Sequence, residues 1–318
     1  MRDHSMLVFT GNANPALAKA ICQHIGMELG GGYVRRFPDG ELDVKVTVDV
    51  RGADAFVVQP TCPPVNENVM ELLLLVDCLR RASASRITVV LPYYGYARKD
   101  RKDEGRVPIT AKLVANLIAT AGANRVLALD LHATQIQGFF DIPTDHLSAA
   151  PVFAERLRRE ALDNLVLVSP DVGSIKLAKS YAMGLRAGMA VVDKRRTSPD
   201  TTEADFFIGD VQDRNVLIVD DIIATGGSVA QAAMLLRRQG ARSIRVLATH
   251  GVFCGPAVER LREASIERIM VTDSIPLPER VQGLPIEVVS VAQLLGEAML
   301  RIHRDESVSS LLRMSLAH

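Results

Sequence analysis

Neither sign of charge is in excess in this 318-residue chain, where Lys plus Arg and Asp plus Glu both number 37. That balance removes the electrostatic case for nucleic acid or a charged membrane surface as a partner, so each basic cluster has to be judged by its position. Cysteine is scarce and unpatterned. Cys22, Cys62, Cys78 and Cys254 show neither C-x-x-C nor Cys/His ligand spacing, which argues against a disulfide framework and for small apolar residues in a reducing compartment. No uncharged run is long enough to span a bilayer; residues 222–236, the longest, are interrupted by Thr-Gly-Gly-Ser. The opening MRDHSMLVFTGNANP has an early acidic residue and no continuous apolar region before a small-residue cleavage site. No secretory leader and no membrane partner are expected, and the expected location is cytoplasmic.

Apolar residues make up 48% of the chain, enough for substantial cores, and the length favours about two domains. Strand-like runs recur at residues 6–10, 55–59, 87–91, 125–129, 165–168, 189–192, 216–219, 244–248 and 268–271. Helical patterns alternate with them, a rhythm that predicts α/β architecture with parallel sheets and crossover helices. Residues 69–81 put Val69, Leu72, Leu73, Val76 and Leu79 on one helical face and end in two arginines, which suit a helix C-terminus. A second such pattern, 229–239, stops at Gly240. Segments 7–19 and 165–179 echo each other as strand, Gly-containing loop and helix. Two similar domains, 1–146 and 147–300, with a tail at 301–318 are expected, and sites commonly form where domains meet.

The most informative segment is RNVLIVDDIIATGGSVA, residues 214–230. Its apolar run is too short for a helix and β-branched enough for a buried parallel strand, placing Asp220 and Asp221 near the carboxyl end, where open α/β sheets bind ligands. Gly226 and Gly227 let backbone N–H groups approach an anion, while Thr225 and Ser228 add hydroxyls at the start of the following helix. A phosphate fits there. The adjacent carboxylates would repel it unless they face sugar hydroxyls or a hydrated Mg²⁺, so the pattern suggests a pentose phosphate. Neither the Gly-Lys-Ser/Thr of a nucleotide P-loop nor G-x-G-x-x-G is present. An ordinary strand-to-helix connection with acidic turn residues is the bland alternative.

Other motifs carry less on their own. Asp130 and His132 follow a strand and suit either a structural role or a metal or phosphate contact. Asp171, also after a strand, suits a ligand site or a helix cap. Asp193, Lys194, Arg195 and Arg196 precede a polar run through Pro199 that reads as a mobile loop; such cations could close over a polyphosphate or merely form a solvated patch. RRFPDGEL contains a strong turn signal. PYYGYARKDRKDEGRVP clusters three tyrosines with Arg98, Lys99, Arg101, Lys102 and Arg106, a mixture suited to RNA or to an adenine ring beside a triphosphate. Zero net charge favours the mononucleotide.

FPDGE, QPTCPPVNENVMELL, PYYGYARKDRK, VPITAKLVANL, DLHATQIQGFFDIP, SPDVG, VDKRR, VLIVDDIIATGGSV, ATHGVFCGPAVERL, VTDSIPLP and ESVSSL occur in this order. Together they resemble the ribose-phosphate pyrophosphokinase (phosphoribosyl pyrophosphate, PRPP, synthetase) family over essentially the whole chain. The resemblance implies two phosphoribosyltransferase-like domains, each a mainly parallel sheet flanked by helices, in a homo-oligomer that is usually a hexamer. It implies transfer of the β,γ-diphosphoryl group of MgATP to the 1-hydroxyl of ribose 5-phosphate, giving PRPP and AMP.

By the same resemblance, Phe37, Asp39, Gly40 and Glu41 of a neighbouring subunit recognise adenine, and Arg98 and Lys99 also contact ATP. His132 and Asp171 bind Mg²⁺. Asp220 and Asp221 hold the ribose hydroxyls, and Ala224, Thr225, Gly226, Gly227 and Ser228 cradle the 5-phosphate. Lys194 and Arg196 stabilise the migrating group, Arg196 also reaching the sugar phosphate. Positions similar to a family site activated by phosphate and inhibited by ADP are Arg51, Ser83, Arg101, Lys102, Ser307, Ser309 and Ser310.

Three positions depart from the family pattern. Ala224 stands where Asp is common, Ser228 where Thr is common, and Lys99 where Gln is usual. Ser228 preserves a hydroxyl and Lys99 adds charge near ATP, whereas Ala224 removes a carboxylate beside the sugar phosphate. Two alternatives are a PRPP-consuming phosphoribosyltransferase and a non-catalytic, synthetase-associated regulatory subunit. The first leaves residues 37–41 and the paired domains unexplained; the second is hard to reconcile with the retention of Lys194, Arg196, His132 and Asp171.

Overall fold

The computed structural model describes residues 5–160, 162–195 and 204–312, and they form two compact units. The first unit comprises 5–148, 274–276 and 291–312. Strand β1 (Met6–Thr10) leads into α1 (Pro15–Ile25), which Asn14 caps by accepting from Leu17 N–H and which ends at Gly26 in the left-handed region. The hairpin β2 (Gly32–Arg36) and β3 (Leu42–Val46) follows. Next come β4 (Asp54–Val58), α2 (Val65–Arg81), β5 (Arg86–Leu91), α3 (Thr110–Ala121), β6 (Arg125–Leu129) and β7 (Thr144–Leu147). The five-stranded sheet has the order β1-β4-β5-β6-β7 and is parallel throughout. Every residue of β4 is buried, so both faces of the sheet are covered, as its continuous apolar sequence requires.

The second unit comprises 149–273 and 277–290 among the described residues. It runs α4 (Ala150–Arg158), β8 (Leu165–Ser169), α5 (Ile175–Leu185), β9 (Gly188–Arg195), β10 (Ala204–Ile208) and β11 (Asn215–Ile223). It continues through α6 (Gly227–Arg238), β12 (Ser243–Gly251), α7 (Ala257–Glu263), β13 (Arg268–Thr272) and β14 (Ile286–Val289). Sheet order is β10-β9-β8-β11-β12-β13-β14, with only β10 antiparallel. Its core includes Val168, Ile218, Leu236, Val246 and Phe253, each worth about 1.5–3 kcal/mol relative to exposure.

The α/β expectation holds, and the observed elements refine its boundaries. Strand 216–219 continues to Ile223 because it keeps pairing with β12 past the two carboxylates. Strand 189–192 continues to Arg195 because β10 pairs with it, so Asp193, Lys194 and Arg195, expected to follow the strand, belong to it; the polar run at 196–203 lies outside the described residues. β2, β3, β7, β10 and β14 carry no alternating or continuous apolar signal strong enough to mark them; β2 and β14 have no fully buried residue.

The last helix, α8 (Ala292–His303), belongs to the first unit, whereas a division at 147–300 assigns most of it to the second. Its apolar side packs on α1, where a Cβ on Gly296 would come within 2.9 Å of Ile25 Cγ2, so this glycine permits the close approach. The helix end is also fastened by charge. Arg86 donates to both carboxylate oxygens of nearly sealed Asp54, to the Ile302 carbonyl and to Asp305, while His303 Nδ1 lies 2.8 Å from Asp54 Oδ2. No described helix is long and apolar enough to cross a membrane.

Candidate active site

In the second unit the turn from β11 into α6 gathers the residues 224–228 expected to cradle a phosphate. Gly226 sits at φ 70°, a conformation that disfavours any side chain, and a Cβ there would meet the Ala257 carbonyl at 3.3 Å. Thr225 and the first residues of α6 have no acceptor for their N–H groups among the described residues, the usual state of a helix N-terminus. That end of α6 favours negative charge. Ala224 and Ser228 are half-buried and Thr225 is exposed. Behind the turn, the Ile223 carbonyl accepts from Val252 and Phe253 N–H, both at 3.0 Å, and the Ala224 carbonyl accepts from Cys254 N–H at 2.8 Å. Arg260 of α7 donates from Nη1 to the Thr225 carbonyl at 3.3 Å.

The adjacent carboxylates are not equivalent. Asp220 is 7% exposed and accepts from Ser174 Oγ at 2.7 Å and from Asp221 N–H at 2.9 Å, whereas Asp221 is half-buried. Burial pushes the Asp220 carboxyl up to about 8; the neighbouring Asp221 charge adds to the rise, and the Ser174 hydroxyl opposes it. The β8–α5 turn supplies Ser174, and β8 pairs directly with β11, which brings Asp171 into the same neighbourhood. Asp171 Oδ1 accepts from Gly173 N–H at 2.9 Å and Ser174 N–H at 3.2 Å. Asp171 therefore shapes the turn without capping α5, whose N-cap position is Ser174. Its Oδ2 has no hydrogen-bond partner among the described residues, and that is an oxygen donor of the type a hydrated Mg²⁺ accepts.

His132 lies in the first unit, exposed on the turn that follows β6. Sequence reasoning missed the residue behind this turn. His146 of β7 accepts from Leu131 N–H at Nε2, 2.9 Å away, and burial lowers the pKa of its ring, favouring a neutral acceptor. Ser174 and Arg260 were missed as well; the hydroxyl partner of a carboxylate and the cation behind a glycine turn come from separate segments and leave no local pattern. No cluster of three or more His, Cys, Asp or Glu able to hold a metal occurs among the described residues. The oxygen chemistry of Asp171 fits a largely hydrated magnesium ion rather than an all-protein cage.

Phe37, Asp39, Gly40 and Glu41 occupy the tip of the β2–β3 hairpin. The turn is closed by Phe37 N–H to the Glu41 carbonyl at 2.8 Å and Gly40 N–H to the Phe37 carbonyl at 2.9 Å, with Gly40 at φ 97°. Phe37 is 48% exposed, so the hairpin displays an aromatic ring to solvent. Arg98 and Lys99 are exposed on the segment after β5, and Lys99 pairs with Asp103 at 2.9 Å. Lys194 stands in β9 opposite Asp205 of β10, and Arg196 lies outside the described residues.

The positions similar to a regulatory site fall in the first unit. Arg51 donates to Ser83 Oγ at 3.4 Å. Arg301 donates to the Ser307 carbonyl at 3.2 Å and to Ser310 Oγ, while Ser309 N–H reaches Ser307 Oγ at 3.2 Å. Arg101 and Lys102 are exposed. A separate concavity of about 780 Å³ in the second unit, lined by Leu157, Arg158, Asn164, Gly188 and Arg214 among others, lies where β8 and β9 begin and not at the β11–α6 turn.

Residues 6–122 match the family model described as the N-terminal domain of ribose phosphate pyrophosphokinase, and residues 204–313 match the phosphoribosyl synthetase-associated domain. A ribose-phosphate pyrophosphokinase of Rhodopirellula baltica is 54% identical over 315 residues, covering 96% of this chain and 98% of that protein. One from Nostoc sp. is 50% identical, covering 98% of this chain and 94% of the relative. The crystal structure of phosphoribosylpyrophosphate synthetase from Mycobacterium smegmatis superposes with a TM-score of 0.90 at 38% identity, covering 95% of this chain and 99% of that one.

Proposed function

The chain belongs to the ribose-phosphate pyrophosphokinase family, and we infer from this that it makes PRPP by moving the β,γ-diphosphoryl group of ATP to ribose 5-phosphate. In balanced form, the 1-hydroxyl oxygen of the sugar bonds to the β-phosphorus, the bond from that phosphorus to the α-phosphate bridge breaks, and AMP leaves. The hydroxyl proton passes to solvent or to a nearby base. The observation that carries the reading is a full-length match at about half identity, together with a β11–α6 turn whose backbone N–H groups are suited to a phosphate.

The residues divide the labour by chemistry. The N–H groups and hydroxyls of residues 224–228 hold the 5-phosphate, and Asp220 and Asp221 accept from the ribose hydroxyls. Lys194 and Arg196 offset negative charge on the migrating group, most strongly in the transition state. Arg98 and Lys99 bind the ATP phosphates, and the Phe37 to Glu41 hairpin receives adenine as part of a neighbouring subunit. When bound, Mg²⁺ neutralises and orients the ATP phosphates; Asp171, with His132, would hold it. A homohexamer, phosphate activation at Arg51, Ser83, Arg101, Lys102, Ser307, Ser309 and Ser310, and a cytoplasmic location complete the proposal.

Whole-length similarity supports this reading over a phosphoribosyltransferase that consumes PRPP. Incubation with ribose 5-phosphate, MgATP and phosphate, followed by identification of the adenosine product, tests it: AMP supports diphosphoryl transfer and ADP opposes it.

A further inference from the structure

The phosphate turn is held from behind by one segment of the chain. In a planar trans peptide the C=O and the following N–H point in opposite directions, so a carbonyl fixed on one side aims its N–H to the other. Val252 and Phe253 hold the Ile223 carbonyl, Cys254 holds the Ala224 carbonyl, and Arg260 holds the Thr225 carbonyl. The corresponding N–H groups are those of Ala224, Thr225 and Gly226, and each is turned away from the segment that holds its carbonyl. The first two carbonyls are fixed by backbone; the third depends on one side chain.

We propose that Arg260 is a positioning residue for the 5-phosphate, holding the Thr225 carbonyl outward so that the Gly226 N–H faces the anion. The assignment rests on reading this turn as the ribose 5-phosphate cradle. Two further observations support it. A Cβ on Gly227 would lie 3.3 Å from Arg260 Nη1, so the glycine makes room for the guanidinium directly beside the cradle. Gly226, at φ 70°, has the conformational freedom to let its peptide rotate if that anchor is lost. Arg260 is exposed and carries no structural core, so replacing it should leave the fold intact. Acting through the Thr225 carbonyl, it bears on sugar-phosphate affinity and not on the diphosphoryl group.

The test is Arg260→Gln, Arg260→Ala and Arg260→Lys in the full chain, with melting temperature checked and each substrate varied separately. The expected result is a rise of about tenfold or more in KM for ribose 5-phosphate in the Gln and Ala variants, with kcat and KM for ATP within about twofold and Lys intermediate. A merely structural role would move both KM values and the melting temperature together. Unchanged ribose 5-phosphate KM in a folded variant, or equal rises for both substrates, would overturn the assignment. Calorimetric titration of ribose 5-phosphate into wild type and variants reads the same difference without turnover. A wild type that binds the sugar phosphate but forms no PRPP would therefore sink the reaction and not the role of Arg260.

Discussion

Ser174 Oγ donates to Asp220 Oδ1 at 2.7 Å, tying the start of α5 to β11 and placing a hydroxyl on a nearly sealed carboxylate. Burial lifts the Asp220 carboxyl to about 8, and the serine favours its ionised form. An ionised Asp220 is the better acceptor for a ribose hydroxyl. The account predicts an acidic limb in kcat/KM for ribose 5-phosphate, which Ser174→Ala moves to higher pH. An identical pH profile in the variant would separate this hydroxyl from the catalytic ionisation.

The same shift has a stability consequence of definite sign. A carboxyl whose folded pKa lies above the unfolded value of about 3.9 contributes stability that is complete below that value and is lost as pH rises through about 8. Asp220→Asn removes the titration while keeping a similar shape. The melting-temperature difference between the two proteins should therefore move in favour of the variant between about pH 4 and pH 8. A constant difference over that range would contradict the shift.

How much of this was legible in sequence depends on whether a feature is local. The β11–α6 turn could be read because apolar strand, carboxylates, glycines and helix follow one another in one segment. Parallel sheets followed from the alternation of apolar runs with helical periodicity. The membership of α8 could not be read, since it depends on Gly296 meeting Ile25 and on Arg86, Asp54 and His303 converging from distant positions. Ser174, His146 and Arg260 were hidden for the same reason. The unequal burial of Asp220 and Asp221 arises from packing of α5 against the strand, which adjacent identical residues cannot reveal.

Lys194, on β9, is the cation to which the proposed mechanism assigns most of the charge stabilisation. Lys194→Ala should lower kcat by roughly a hundredfold or more, about 2.7 kcal/mol of transition-state stabilisation, with a smaller effect on KM for ATP. A change confined to KM would make Lys194 a ground-state ATP contact.

Arg301 gathers the Ser307 carbonyl and Ser310 Oγ, fastening residues 307–310 to α8. A chain ending after Arg304 should lose activation by phosphate, and Arg301→Ala should weaken it while leaving the tail present. Rates measured against phosphate concentration decide the matter. Unchanged dependence in a correctly folded truncate would remove Ser307, Ser309 and Ser310 from the regulatory site.

Ala224 presents its carbonyl to Cys254, and the cradle needs no side chain at this position to offer N–H groups. Ala224→Asp should change kcat/KM for ribose 5-phosphate by no more than about tenfold, roughly 1.4 kcal/mol. A nearly inert wild type rescued by orders of magnitude in Ala224→Asp would instead mark the natural chain as a disabled relative.

The central claim is diphosphoryl transfer, and the most direct measurement follows label from ATP carrying ³²P at the β-position. The account predicts that the label appears in PRPP, in amounts equal to the AMP released, and only when Mg²⁺ is supplied. Label retained in ADP, with ribose 1,5-bisphosphate as the sugar product, would contradict it.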